Sequence, residues 1–365
     1  MKNDRVRTKR VDIPLLISVL ALILFGMVML YSTSSYNGIV KFGDAFYYLK
    51  KQFFATSLGL AAMYLVTNID YHVWAPFAVL GYVLSAVLST LVLFIGQEIN
   101  GSKRWLALGP LSFQPSEFAK VALIIFLAWM VTKQGKKIVK LKTMFLVILS
   151  ALPIVGLVGT NNLSTAIIIL GIAVILIFVA SPKYMQFLAI GCMGIGFIAI
   201  FLATASYRLE RLAIWINPEE YEKGYQTLQG LYAIGSGSVF GVGIGNGKQK
   251  LGFVPEAQND MIFSIICEEL GLFGACFLII LFGILIWRLM VVASHTKDLF
   301  GCLIVSGIMA HIMIQVILNI AVVTNTIPNT GITLPFVSYG GTSVLFLLSE
   351  MGIALNVSLS TRKEH

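Results

Sequence analysis

Apolar stretches long enough to cross a bilayer recur along this chain, and they constrain it more than any other feature. Crossing the hydrocarbon core as an α-helix takes roughly 20 apolar residues. Ile13–Tyr31, Trp74–Ile95, Leu163–Ala180, Tyr184–Ala203, Met261–Trp287 and Leu299–Val323 meet that requirement. Phe53–Thr67, Phe118–Val131, Met144–Val158 and Thr342–Ser358 are shorter or more polar candidates. The expectation is an all-α integral membrane protein of about ten transmembrane helices, a single polytopic domain over residues 1–365. Composition agrees. At 58% hydrophobic and 12% charged, 365 residues carry more apolar surface than a soluble core could bury, so the bilayer must act as solvent for much of it. The first run is too long for the apolar region of a signal peptide and no small-residue cleavage site follows, so it reads as an uncleaved span.

The net charge of +9 is distributed as membrane topology requires, and nucleic acid is not an expected partner. Lys2, Arg5, Arg7, Lys9 and Arg10 precede the first span, and Lys133, Lys136, Lys137, Lys140 and Lys142 follow the fourth. Lys183, Arg288, Lys297, Arg362 and Lys363 fall on the same side of an even-numbered bundle. Basic loops favour the cytoplasm, so both termini are expected there. The polar stretch 206–260 then forms a long extracytoplasmic loop between helices 7 and 8. Its scattered Trp, Tyr, Leu and Ile predict that it is partly folded. Cys192, Cys267, Cys276 and Cys302 lie in apolar stretches without C-x-x-C spacing, so neither disulfides nor a zinc site is expected.

Four polar stretches interrupt the apolar pattern. Gly235 to Lys248 reads GSGSVFGVGIGNGK, which fails the phosphate-loop register because Val242 and Gln249 stand where Gly and Ser/Thr are needed. The glycines instead suit close approach of backbone to a ligand, or a tightly packed re-entrant turn. Asp260 stands where the loop enters the eighth span, either as a helix cap or as a functional carboxylate. Glu268 and Glu269 lie further along that helix, and an acid within a membrane is a functional candidate by its cost alone. Glu117 and Lys120, three apart after Pro115, share a helix face and are expected to pair. Pro328, Pro335 and Gly340-Gly341 break the last stretch at membrane depth, where irregular backbone is tolerated only inside protein or around a cavity.

Taken in order, QPSEFAK, GVGIGNGKQKL, PEAQNDMIFS with EELG, and TGITLPFVSYGG resemble the signature blocks of the FtsW/RodA (SEDS) family of peptidoglycan glycosyltransferases. The PEA and GITLPF wordings look most like the division-type FtsW branch, with the sporulation paralogue close behind. The resemblance implies polymerisation of lipid II into glycan strands on the outer face of the bacterial cytoplasmic membrane, at the division septum. It makes Asp260 the catalytic carboxylate, with Glu117, Lys120, Glu268 and Glu269 as supporting polar groups. Arg208, Lys248, Lys250, Ser338 and Gly340 become candidates for substrate binding. A divalent cation, Mg2+ or Mn2+, would offset pyrophosphate charge, with its ligands unknown. No nucleotide or organic cofactor is implied. Implied partners are a class B penicillin-binding protein, bound through its membrane helix, and other divisome membrane proteins. Three departures stand out. Asn161-Asn162-Leu163-Ser164-Thr165-Ala166 lacks the family's usual acid, Gln258-Asn259-Asp260 lacks its usual His, and Asn325-Thr326-Ile327-Pro328 replaces Gly-Leu-Leu-Pro. Two other readings share the same features: a lipid II flippase and a non-catalytic divisome scaffold. A flippase of repeat architecture would show paired broken helices, and no such internal repeat is visible.

Overall fold

A computed structural model describes residues 11–99, 102–108, 111–181, 191 and 212–360. The principal helices are α1 (Ile13–Phe42), α2 (Tyr47–Thr67), α3 (Trp74–Ile95), α4 (Pro115–Gln134), α5 (Leu141–Gly159), α6 (Leu163–Ala180), α7 (Tyr225–Ser236), α8 (Ile262–Ser294), α9 (Leu299–Val323) and α10 (Gly341–Ser358). Among the described residues, eight helical segments are long and apolar enough to cross a membrane; α2 and α7 are not among them. The expected span Tyr184–Ala203 lies outside the described residues. The expected span Phe53–Thr67 lies within α2, which begins earlier and carries Lys50, Lys51 and Gln52 near its start.

Local chemistry sets the helix ends. The Asp12 carboxylate accepts the Leu15 amide at 2.9 Å, and Pro14 sits in the first turn where no amide is missed. At the far end of α1, Gly43 takes the left-handed conformation (φ 70°) that closes a helix. Asp298 caps α9 in the same way as Asp12 caps α1, accepting Gly301 N at 2.9 Å. α1 runs to Phe42 rather than stopping at Tyr31. The extension is polar, so hydropathy does not register it, and at 30 residues the helix spans roughly 45 Å, more than a hydrocarbon core. Nor is the chain purely helical. Gln97–Ile99, Ser102–Leu108 and Leu111–Phe113 (β1–β3) form a three-stranded antiparallel sheet between α3 and α4. Its third strand receives the Thr342 hydroxyl of α10 on the Ser112 carbonyl at 2.6 Å.

Two polar layers mark the ends of the bundle. In one, the Asp12 amide donates to the Ser358 hydroxyl at 3.1 Å, Arg288 pairs with Asp12 at 2.5 Å and the Tyr71 amide reaches Asn356 at 2.9 Å. The start of α1 and the end of α10 therefore meet on one face. In the other, Asn37 at the far end of α1 donates to Gln258 at 3.1 Å, and the Tyr339 amide donates to the Gln258 carbonyl at 2.9 Å. Between these layers α4, α9 and α10 are the most buried of the candidate spans, while α3 and α5 are the most exposed. The outer helices turn Phe77, Leu80, Phe94, Phe145 and Phe273 outward, as a lipid-facing surface requires.

Candidate active site

The site begins with a broken helix. α8 is interrupted at Gly271 (φ 66°, ψ −164°), which frees backbone groups on both sides. The Gly-rich loop supplies their partners. Val242 N donates to Glu268 O at 3.0 Å and Gly243 N to Glu269 O at 2.9 Å. In return the amides of Leu272 and Phe273 reach Ser238 O and Val239 O at 3.0 and 3.1 Å. This contact requires glycine: a Cβ on Gly241 would lie 2.2 Å from Glu269 O. The tight re-entrant turn expected from the sequence is present, with Phe240 and Ile244 at its exposed tip.

Both glutamates at the kink are held from the loop. Glu268 accepts the amides of Lys248 (2.7 Å) and Gln249 (3.2 Å). Glu269, fully buried, pairs with Lys250 at 2.5 Å and accepts the Ser32 hydroxyl of α1 at 2.6 Å. A buried carboxylate is tolerable only with such partners. These two therefore brace the loop against α1 and α8.

Asp260 lies two residues before that helix. It is not a cap: the residue at the N-cap position of α8 is Met261, and it makes no side-chain capping bond. The Asp260 carboxylate has the Gln226 amide of α7 at 3.4 and 3.5 Å, and Gly331 of the broken segment approaches it. Burial pushes the carboxyl up to about 7, reinforced by the nearby Glu256 carboxylate and only partly offset by Gln226. Gln226 is in turn contacted by Asn329 at 3.3 Å, and both adjoin a pocket of about 170 Å³ lined by Trp215, Lys223, Thr227, Asn325 and Asn329. A carboxylate whose ionisation falls near neutral pH beside an open pocket can accept a proton from a bound hydroxyl.

Further into the bundle the expected pair forms. Lys120 Nζ lies 2.8 Å from Glu117 Oε1, both buried on α4. The pair joins a network that spacing along α4 does not reveal. Lys120 also reaches Gln315 Oε1 at 3.4 Å, His311 Nε2 meets the same oxygen at 2.9 Å, and His311 Nδ1 meets Glu350 of α10 at 2.9 Å. All these groups lie on the three innermost helices.

A family model for FtsW/RodA/SpoVE, described as "Cell cycle protein", matches residues 13–363. The chain belongs to this family. It is 39% identical to Stage V sporulation protein E of Bacillus subtilis strain 168, over 96% of this chain and 98% of that one. It is 37% identical to the probable peptidoglycan glycosyltransferase FtsW of Trichlorobacter lovleyi, over 96% of this chain and 94% of the other. In fold it matches a chain of a peptidoglycan synthase complex that coordinates polymerization and crosslinking, with a TM-score of 0.81, 30% identity, and coverage of 95% and 97%. Thermus thermophilus RodA matches with a TM-score of 0.73, 28% identity, and coverage of 97% and 98%. As an FtsW/RodA/SpoVE member with eight apolar helices among its described residues, the chain is a multi-pass membrane protein.

Within this family fold the residues expected at the site divide into groups. Asp260 is linked to the pocket through Gln226 and Asn329, whereas Glu268 and Glu269 are braces. Lys248 is exposed, with its backbone tied to Glu268. Lys250, a candidate for substrate binding by the family resemblance, lies buried in the pair with Glu269, where its charge is already matched. Ser338 is buried and accepts Leu334 N at 2.8 Å, closing a turn, and Gly340 N donates to Gln52 of α2 at 3.1 Å. Both therefore shape the broken segment. Arg208 lies outside the described residues. Among the described residues no three His, Cys, Asp or Glu side chains gather as a metal site. Cys267, Cys276 and Cys302 are free thiols.

Sequence reasoning missed His311, Gln315, Asn319, Glu350 and Gln226. The first three recur every fourth residue in an apolar span, and Glu350 is an acid inside another, so their signal was present. Gln226 carries no comparable signal.

Proposed function

We propose that this chain is a peptidoglycan glycosyltransferase that polymerises lipid II at the outer face of the cytoplasmic membrane, with Asp260 as the general base. The observation that carries the reading is Asp260 itself: a carboxylate at the bundle end, shifted to about 7 by burial, and linked through Gln226 and Asn329 to an open pocket. Joining two lipid-linked disaccharides requires a sugar hydroxyl to attack an anomeric carbon while a lipid pyrophosphate departs. The hydroxyl is a weak nucleophile, and a positioned carboxylate takes its proton as the new bond forms. Lys248, exposed on the loop, and Arg208 are proposed to offset the charge of the leaving pyrophosphate. A divalent cation, Mg2+ or Mn2+, would be carried by the substrate's own phosphates and water, since no dense ligand set gathers among the described residues.

The test is the purified protein with lipid II, followed by glycan-chain analysis on gels. Wild type is expected to form polymer and Asp260→Asn none, while the variant still binds lipid II. Near-normal synthesis by a folded Asp260→Asn protein would remove Asp260 from the mechanism.

In the cell we place the protein at the division septum, with both termini cytoplasmic. The basic residues flanking the first and last spans favour that orientation. Strands must be crosslinked, and one structural relative belongs to a complex that couples polymerization to crosslinking. We therefore propose a class B penicillin-binding protein as partner, bound through its membrane helix, with other divisome membrane proteins in the same assembly. Photocrosslinkers placed along the lipid-facing helices should capture it in dividing cells. Failure at every position, with both proteins expressed, would argue against a stable complex.

A further inference from the structure

α9 carries His311, Gln315 and Asn319 at intervals of four, so the three side chains stand on one helix face. All are buried. Asn319 uses both amide hydrogens. One donates to the Asp260 carbonyl at 2.9 Å and the other to the Ile332 carbonyl at 2.6 Å. Gln315 donates to the Thr333 carbonyl at 3.0 Å, one residue along the same broken segment. That bond fixes the orientation of the Gln315 amide, so its oxygen must face His311 Nε2 and Lys120. His311 Nε2 therefore bears hydrogen. Its Nδ1 faces the Glu350 carboxylate, so one proton lies between the two, and the pair is neutral as a whole whichever holds it. Glu117 and Lys120 also cancel, so the whole cluster is charge-balanced, as burial requires.

We propose that this stripe is the positioning element for the Asp260 site, with Asn319 as the positioning residue that holds Asp260 against the broken segment. The inference rests on the reading of Asp260 as the reacting carboxylate. Asn319 touches the backbone of Asp260 and not its carboxylate, so it acts by fixing where that carboxylate points. Among amide-sized side chains, only one with two hydrogens on a single nitrogen can bridge the two carbonyls in this way. Gln315 holds the adjoining residue, and His311, Glu350, Glu117 and Lys120 hold Gln315. The intramembrane charges, distant in sequence from the loop, thus gain a role without touching substrate.

The test uses Asn319→Leu in the full-length protein, with two readouts. The first is steady-state polymerisation of lipid II. Loss of positioning lowers kcat by at least tenfold with KM changed less than threefold. The second does not depend on activity. The Asp260 carboxyl is titrated by infrared difference spectroscopy against Asp260→Asn, without added divalent cation. The groups facing it are Glu256 and Gln226, and neither is altered by the substitution. Freed from the clamp, the carboxyl reaches water and its midpoint falls by at least one pH unit. An unchanged midpoint together with an unchanged kcat in a folded Asn319→Leu protein would overturn the proposal. Should that variant not fold, Gln315→Met is read by the same two measurements, and wild-type values there would equally overturn it. Wild type that binds lipid II but never polymerises it would refute the proposed function, whereas the infrared midpoint would still judge the clamp.

Discussion

Asp260 combines partial burial with a position outside the helix it precedes, and the consequences for pH run in two directions. In the proposed role of general base it must be ionised, so kcat should fall as pH drops below about 7, with a single acid limb. Replacement by Asn should lower polymerisation by at least about 10²–10⁴-fold, the usual contribution of such a group. Stability responds differently. The folded carboxyl titrates near 7 and the unfolded one near the ordinary aspartate value of 3.8, so between them the folded chain holds a proton the unfolded chain has lost. Stability contributed by Asp260 is present at low pH and lost as pH rises through 7. Asp260→Asn should therefore melt higher than wild type at pH 8, with the difference smaller at pH 5 and closing only below pH 3.8. Equal melting at both values would contradict the raised carboxyl. Glu117 and Lys120 offer a second test at this scale. Removing either partner leaves a buried charge unmatched, at about 3–5 kcal/mol. The double replacement Glu117→Gln with Lys120→Met should be less harmful than the sum of the singles, as read by melting in detergent. Strict additivity would refute the coupling.

The element that distinguishes this bundle is the docking of the glycine loop on the broken α8. Gly271 has φ 66°, and a Cβ there would lie 2.4 Å from the Gly241 nitrogen and 2.5 Å from the Val239 carbonyl. Backbone atoms cannot yield as a side chain can. Gly271→Ala should destabilise by about 2 kcal/mol or more, through a strained φ combined with a displaced loop. Gly156 in α5 has open space around its Cβ position, so Gly156→Ala should be neutral or slightly stabilising. Melting curves for the two variants in parallel provide the check. Similar behaviour would show that the loop does not depend on the kink. Since the loop also supplies Lys250 to Glu269, the Gly271 variant should lose activity along with stability.

At the scale of the whole molecule, polar groups are sorted by depth. The face that joins Asp12, Arg288 and Ser358 is opposite the face that carries Asp260 and Gln258. In a cysteine-free background, a single cysteine at Glu220 should react with an impermeant thiol reagent in intact cells. One at Lys136 should react only after permeabilisation. The reverse pattern would invert the topology. Between the two faces, the buried charges among the described residues have partners: Glu117 with Lys120, His311 with Glu350, Glu269 of α8 with Lys250, and Glu268 with the amides of Lys248 and Gln249. The bilayer enforces that arrangement, since lipid offers nothing to an unmatched polar group.

The linear sequence determined most of the spans, because hydropathy reports directly on which segments lipid can solvate. It also determined the Glu117–Lys120 pair, because residues three apart on a helix share a face whatever surrounds them. The signature blocks carried family membership, since their order along the chain needs no folding to be read. The rest depended on packing between segments far apart in the chain. Ser32 meets Glu269 across 237 positions and Lys120 meets Gln315 across 195. The polar extension of α1 is helical because Ser32 and Asn37 find partners on other elements, which hydropathy cannot register. Lys250 faces inward because Glu269 is there to receive it. Asp260 looked like a cap in one dimension. In three it is a half-buried carboxylate, because α7, the broken segment and Asn319 of α9 close around it and take part of the water that would have kept it an ordinary acid.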